Sequence, residues 1–258
     1  EHLDYYKSIT KLKKSFSQFL EKIPSVGKGF LCIDDKNVQE IVKKSKNKNF
    51  YTYGKNENSN FQILNVFQTT KVSKFDIKIN IPGNKKIIKN IKIPLIGMHN
   101  IKNVASVVAV AFSIGISENI IKKGLIRFKG VQRRFSFLFK HNNAIFIDDY
   151  AHHPTEISSV LDGVKEVYRN KEIICVFQPH RTSRVKNLKL EFSRCFKKAD
   201  TVLLCPIYKA NENLKLGFSY SSFAKLIIKN SKVKLININN EIELKKFLKQ
   251  TAYGEKIY

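Results

Sequence analysis

The segment DDYAHHPTEI, residues 148–157, places two carboxylates, a phenol and two imidazoles within six positions of a chain that has only six histidines. The apolar run AIFI, residues 144–147, precedes it, and residues 156–168 carry the apolar spacing of an amphipathic helix. Pro154 suits the first turn of that helix, where its missing N–H would lack a partner in any case. The histidines are therefore expected in a strand-to-helix loop, at the carboxyl end of a strand and beside a helix N-terminus that favours anions. Neighbouring residues in such a loop point in different directions, so one histidine can face a ligand while the other fixes the loop. Two further readings stay open. One is a metal site drawn from Asp148, Asp149, His152 and His153, although the helical spacing of histidine ligands is absent. The other is a loop whose polar groups serve only its own conformation.

A second cluster, FQPHRTSR at residues 177–184, follows the apolar run EIICVF, so His180, Arg181 and Arg184 are expected at the same edge of the sheet as the histidine pair. Guanidinium forks bind carboxylate or phosphate through two parallel hydrogen bonds, a geometry that Lys cannot imitate. Of 47 basic residues only 7 are Arg, and four of those lie in QRRF and HRTSR, which makes the choice of Arg informative. Arginines at a helix start are unfavourable beside the positive end of the helix dipole unless an anion is bound there. The third cluster is GMHNIKN at residues 97–103. Asn100 and Asn103 lie three apart on one helical face and could read a purine edge, or Asn100 could simply cap the helix. The GKG at residues 27–29 is not a phosphate-binding loop, since Gly follows the Lys and Lys22 stands where the leading Gly belongs.

The elements that must position these groups change rhythm along the chain. Residues 5–23 have helical apolar spacing, GFLCI reads as a buried strand, VQEIVKKS as a short helix, and residues 51–93 favour period-two alternation with turns at Gly54 and PGN. A largely apolar helix runs from GMHN to a stop at Gly115, followed by ENIIKKGLIRF. Beyond residue 129, apolar strands alternate with helices expected at 155–168, 186–197, 220–229 and 240–249, the signature of an α/β domain with a mainly parallel sheet that binds ligands at its strand ends. The net charge of +26 suggests nucleic acid, but it comes from 40 lysines spread over the whole chain rather than from a basic block with stacking aromatics. That distribution reads as a solvated face that also favours anionic substrates. No apolar stretch reaches membrane-spanning length. The four separated cysteines, Cys32, Cys175, Cys195 and Cys205, fit reduced core thiols.

Taken in order, EHLDYY, GMHNIKN, GVQRRF, DDYAHHPTE, FQPHRTSR and YKANE resemble the Mur ligase family along essentially the whole chain. DDYAHHPTE together with FQPHR is highly specific, whereas GMHNIKN is shared more widely among Mur and folylpolyglutamate ligases. The resemblance implies an α/β fold in two parts. Residues 1–129 would be the later part of a P-loop-type central ATPase domain. Residues 130–258 would be most of a Rossmann-like C-terminal domain carrying substrate and amino-acid contacts, incomplete at its end, where GEKIY looks like a strand just beginning. The chain is expected to be a fragment, with the family's UDP-binding domain and phosphate loop upstream, and to show no ligase turnover by itself. The implied activity is ATP-dependent amide formation in cytoplasmic peptidoglycan synthesis, with ATP and Mg2+ as cofactors, UDP-N-acetylmuramate and L-alanine as substrates, and no nucleic-acid or membrane partner. A murein-peptide recycling branch shares the HHP loop but reads EPRS where this chain has QPHR, which favours alanine.

Carried over position by position, the resemblance assigns His2 to the magnesium site and His99, Asn100 and Asn103 to adenine. Arg134 and Arg133 fall on the nucleotide side, and Asp149, with Asp148 as the alternative, corresponds to the ribose-binding acid. Tyr150 and His152 correspond to substrate-facing groups, and His180, Arg181 and Arg184 to those holding the carboxylate and phosphate end. Glu212 is placed near the amine. Thr182 stands where the family usually has an aromatic.

Overall fold

Alternating side chains in the first half of the chain translate directly into sheet. A computed structural model describes residues 3–210, 212 and 219–258, and the chain divides into two compact units, Glu1–Lys129 and Gly130–Tyr258. The first unit contains, in order, α1 (Leu3–Tyr6), α2 (Ile9–Glu21), β1 (Gly29–Cys32), α3 (Lys36–Lys44), β2 (Phe50–Gly54), β3 (Phe61–Gln68), β4 (Ser73–Ile81), β5 (Asn84–Ile93), α4 (Met98–Ser113) and α5 (Glu118–Arg127). Its sheet has the order β1-β2-β3-β4-β5, parallel from β1 to β3 and antiparallel from β3 to β5. Ser73, Phe75, Ile77, Ile79 and Ile81 of β4 all point inward, and the hairpin to β5 turns at Pro82-Gly83, where Gly83 takes a φ of 74°. Helix α4 lays Ile101, Val104, Ala105, Val108 and Ala109 into the same core as these strand residues. Each fully buried Ile or Phe there contributes about 1.5–3 kcal/mol relative to its exposed state.

The second unit runs β6 (Ser136–His141), β7 (Ala144–Asp148), α6 (Pro154–Val167), β8 (Glu172–Phe177), α7 (Thr182–Asn187), α8 (Lys189–Arg194), β9 (Thr201–Leu204), α9 (Tyr220–Ser231), β10 (Lys234–Asn237), α10 (Glu241–Thr251) and β11 (Lys256–Ile257). Its sheet order is β10-β9-β8-β11-β7-β6, parallel except for the β6–β7 hairpin. The expected α/β alternation is present, with two corrections. A single helix over 186–197 is replaced by two short ones that meet at Leu188, whose backbone (φ −116°, ψ 28°) ends α7 and begins α8. Nor are β7 and β8 neighbours, because the two-residue β11 pairs in parallel with both and lies between them. All three strands run the same way, so the loops after β7 and β8 still leave the sheet at one edge.

The core of this unit gathers Ile157, Leu161, Phe177, Phe192, Phe196, Val202, Leu204, Phe223 and Ile227 from helices and strands alike. The four cysteines are free thiols. Burial pushes Cys175 up to about 12, and raises Cys195 further, which makes both inert packing groups. No helix among the described residues is long and apolar enough to cross a membrane.

Candidate active site

The question raised by the paired histidines is answered at the start of α6. His153 is the N-cap: its ring Nδ1 accepts the Thr155 N–H (3.4 Å), and Glu156 returns the bond by accepting the His152 and His153 N–H groups at 3.0 and 3.2 Å. This reciprocal capping box satisfies donors that the first turn would otherwise leave unpaired. His152 does something else. Its ring Nδ1 lies 2.8 Å from the Tyr150 carbonyl and 3.7 Å from Glu156 Oε2, and its ring packs edge-on against Tyr150 with centroids 5.1 Å apart. A ring nitrogen facing a carbonyl must carry the hydrogen, so Nδ1 donates and Nε2 is the basic nitrogen of the neutral ring. Burial works to raise the Glu156 carboxyl, yet the two backbone donors, the His152 ring and Arg134 hold it below the usual range.

The turn QRRF is fastened to this loop. The Tyr150 N–H donates to the Arg133 carbonyl (2.7 Å), and Asp149 accepts the Phe135 N–H (2.8 Å) and the Ala151 N–H (2.7 Å). Arg133 and Phe135 both take left-handed backbone conformations to make the turn. As a result the guanidinium carbons of Arg133 and Arg134 lie 4.8 and 5.7 Å from the centre of the Tyr150 ring, which is 47% exposed. Arg133 Nε also reaches Asp148 at 3.4 Å. Asp149, expected as a ligand-facing acid, therefore has both oxygens on backbone donors.

The second strand tip meets the first. His180 forms an isolated parallel bridge with Tyr208, the Arg181 N–H donates to the Tyr208 carbonyl (2.8 Å), and the Tyr208 N–H donates to the Pro179 carbonyl (2.8 Å). These bonds carry the β8–β9 pairing past the sheet edge and hold the His180 ring 6.2 Å from the His152 ring and 5.3 Å from the Tyr208 ring. Arg181 caps α7 with a φ of 66°, a conformation that costs a non-glycine residue energy and occurs preferentially at functional positions. Burial, then the charges of Arg184, His152 and Arg181, hold the His180 imidazole below its ordinary value, against the pull of Glu212. His180 Nδ1 and Arg184 Nη1 are buried polar atoms without a hydrogen-bond partner. Buried donors of this kind are costly unless something pairs with them, and a neutral imidazole beside guanidinium groups is suited to an anionic ligand.

The Glu212 carboxylate, expected near the amine, accepts the Ser183 N–H (3.1 Å) and the Ser183 hydroxyl and so braces the start of α7. Burial acts to raise its carboxyl, and those two Ser183 bonds with Arg181 lower it. Thr182 beside it is buried. The metal reading of Asp148, Asp149, His152 and His153 fails. Among the described residues no three His, Cys, Asp or Glu side chains are arranged to hold an ion, because Asp149 and His153 are committed to backbone N–H groups. His2 lies outside the described residues, and the described ones supply no Mg2+ ligand set.

In the first unit the paired-amide expectation holds only in part. Asn100 neither caps the helix nor reaches solvent: it is buried, and its Nδ2 donates to the Ile96 carbonyl at 2.8 Å. Gly97 is the N-cap, with a φ of 92° and no side-chain bond. Its lack of a side chain is required, since a Cβ there would lie 2.6 Å from Cε1 of the His99 ring. His99 and Asn103 lie four residues apart on one helical face: Asn103 is exposed, the His99 ring is half-buried against Gly97, and Asn100 is turned to the core side. Sequence reasoning left two groups of the second unit without a role, Glu156 and Ser183. The carboxylate three residues after an N-cap could have revealed the first, while nothing in the sequence marks the second.

Comparison with known proteins finds relatives of both units. The Mur ligase middle domain matches residues 1–111, and the Mur ligase, glutamate ligase domain matches residues 133–246. The UDP-N-acetylmuramate–L-alanine ligase of Pelagibacter ubique is 56% identical over 258 residues, which is 100% of this chain and 56% of that protein. The enzyme of the same name from Rhizobium meliloti is 40% identical over 221 residues, 85% of this chain and 47% of that protein. The chain thus spans about half the length of the curated relatives it matches. Among solved structures, UDP-N-acetylmuramate–alanine ligase from Thermotoga maritima superposes with a TM-score of 0.72 at 23% identity, covering 100% of this chain and 52% of that one, a likeness of fold. With a characteristic domain of these ligases in each of its two units, the chain belongs to the Mur ligase family.

Proposed function

We propose that this chain is the part of an ATP-dependent ligase, acting in cytoplasmic peptidoglycan synthesis, that joins L-alanine to UDP-N-acetylmuramate. The observation that carries the reading is the meeting of two strand tips. The His152 and His180 rings lie 6.2 Å apart, with the unpartnered His180 Nδ1 and Arg184 Nη1 buried beside them. The names of the relatives at 56% and 40% identity support the choice of substrates. In such a reaction a phosphoryl group passes from ATP to the muramyl carboxylate, and the alanine amine then displaces phosphate through a tetrahedral intermediate. Negative charge gathers on phosphoryl and carbonyl oxygens throughout, which calls for fixed cations and donors already in place.

Arg181 and Arg184 would hold that charge, and His180, kept neutral, would donate a hydrogen bond without competing for it. His152, its tautomer fixed by the Tyr150 carbonyl, presents Nε2 as a base toward the amine. Tyr150, backed by Arg133 and Arg134, would form a wall of the substrate site. On the first unit, His99 and Asn103 would contact adenine with Asn100 as their buried support. On the second, Arg134 and the Asp148–Asp149 pair belong to the nucleotide side. Mg2+, when bound, would supply charge neutralisation to the ATP phosphates in such ligases. The test is ATP-dependent amide formation by the full-length gene product. L-alanine and UDP-N-acetylmuramate should release stoichiometric ADP and phosphate. Turnover with a murein tripeptide but not with alanine would overturn the proposal.

A further inference from the structure

The sequence CIDD, residues 32–35, ends β1 with two adjacent carboxylates, and the structure gives them separate tasks. Asp35 caps α3, accepting the Asn37 and Val38 N–H groups at 2.7 and 3.3 Å. Asp34 instead ties three elements together. It accepts the Lys55 N–H (2.9 Å) and the Asn56 N–H (3.0 Å) just beyond β2, and it pairs with Lys102 Nζ of α4 at 2.9 Å. The carboxylate is only 13% exposed and lies down on Gly54, where a Cβ would come within 2.4 Å of Asp34 Oδ1.

Strands β1 and β2 are parallel, so Asp34 and residues 54–56 stand at the carboxyl ends where parallel sheets place their ligands. Lys102 lies between His99 and Asn103 in the first turns of α4. The helix begins at a glycine cap without a side-chain bond, and its first turn is held on the core side by the Gly97 N–H to Gln68 (2.7 Å) and by Asn100 to the Ile96 carbonyl (2.8 Å). A charge-assisted bond from a mostly buried carboxylate to Lys102 fixes it from the side.

We propose that Asp34 and Lys102 form a positioning pair that sets the first turns of α4, and with them His99 and Asn103, for nucleotide binding. The inference rests on the reading of α4 as a nucleotide-contacting element. Neither residue touches the nucleotide; each acts through the helix that does.

The experiment compares K102M, K102R, D34N, the double variant D34N/K102M and N103A in the full-length gene product. The readouts are KM for ATP, KM for L-alanine, kcat and the thermal unfolding midpoint. K102M should raise KM for ATP about five- to tenfold while KM for alanine stays within about twofold, as expected for a small misplacement of one binding face. K102R should restore the ATP value, and D34N/K102M should be no worse than the poorer single variant, because the two residues act as one unit. An unchanged ATP KM in K102M, an equal loss on both substrates, additive single effects or a failed rescue by K102R would each overturn the pair. If N103A itself leaves ATP binding intact, the nucleotide reading of α4 falls, a result distinct from failure of the pair.

Discussion

Removing the Glu156 carboxylate tests how the histidine loop is built. Glu156 accepts two backbone N–H groups, from His152 and His153, at the N-terminus of α6 and is 32% exposed. Loss of an N-terminal cap costs about 1 kcal/mol, and hydrogen bonds to a charged acceptor about 1.5–3 kcal/mol. With a third of the side chain in water, Glu156→Ala is expected to destabilise the second unit by about 1.5–2 kcal/mol, a fall in unfolding midpoint of roughly 3–8 °C for a unit of this size. Glu156→Gln keeps an acceptor but loses the charge and should cost about half as much.

The pH dependence separates the two contributions. The folded carboxyl titrates below its ordinary value of 4.5, so its contribution is fully present above about pH 4.5 and is lost as pH falls through the folded value. The midpoint difference between the native chain and Glu156→Gln, followed by circular dichroism from pH 7 to pH 3.5, should therefore not shrink down to about 4.5 and should close below it. A difference that persists unchanged from pH 4.5 to pH 3.5, or widens over that interval, would refute the charge-based account of the cap.

Two further outcomes are expected. Gly54→Ala must place a Cβ 2.4 Å from Asp34 Oδ1 at a φ of 144°; denaturant unfolding should show a loss of about 2–4 kcal/mol, and an unchanged midpoint would contradict the packing of Asp34 on that glycine. His153→Asn should keep the cap within about 0.5 kcal/mol while His153→Ala loses about 1 kcal/mol, and neither should move KM for L-alanine more than about twofold. Abolished turnover in a stably folded His153→Ala would show that the two histidines do not divide capping from chemistry.

Periodicity made the sheets and most helices readable. The alternation of residues 73–81 is the alternation of buried and exposed side chains in β4, and the change of rhythm after residue 129 falls at the division between units. Interruptions were harder to see. Leu188 is an unremarkable helix former, and only its backbone conformation separates α7 from α8. GEKIY was legible as a strand, but its place between β7 and β8 was hidden because its partners lie far away in sequence. At the site, residue types announced the chemistry but not the allocation of tasks. HH reads as a pair of like groups, yet His153 is a helix cap while the His152 ring turns to the Tyr150 carbonyl. Asn100 looked equivalent to Asn103 until the helix turned one of them into the core. Such differences depend on which direction each side chain leaves the backbone, and a linear pattern does not encode that for irregular loops.

The short strand β11 has a bearing on assembly order. Residues 256–258 reach back over a hundred positions to bond the Ile145 carbonyl and the Ile147 N–H on one side, while Glu255 accepts from Glu172 on the other. Until those residues arrive, the backbone edges of β7 and β8 face a gap one strand wide. The His152 and His180 loops both precede residues 256–258 in the chain, so their spacing waits on a segment far beyond them in sequence. Loop closure over such separations is slow compared with forming a neighbouring helix. The spacing of the anion-facing pair thus depends on a long-range closure, and a nascent chain holds its ingredients apart until residues 256–258 are available.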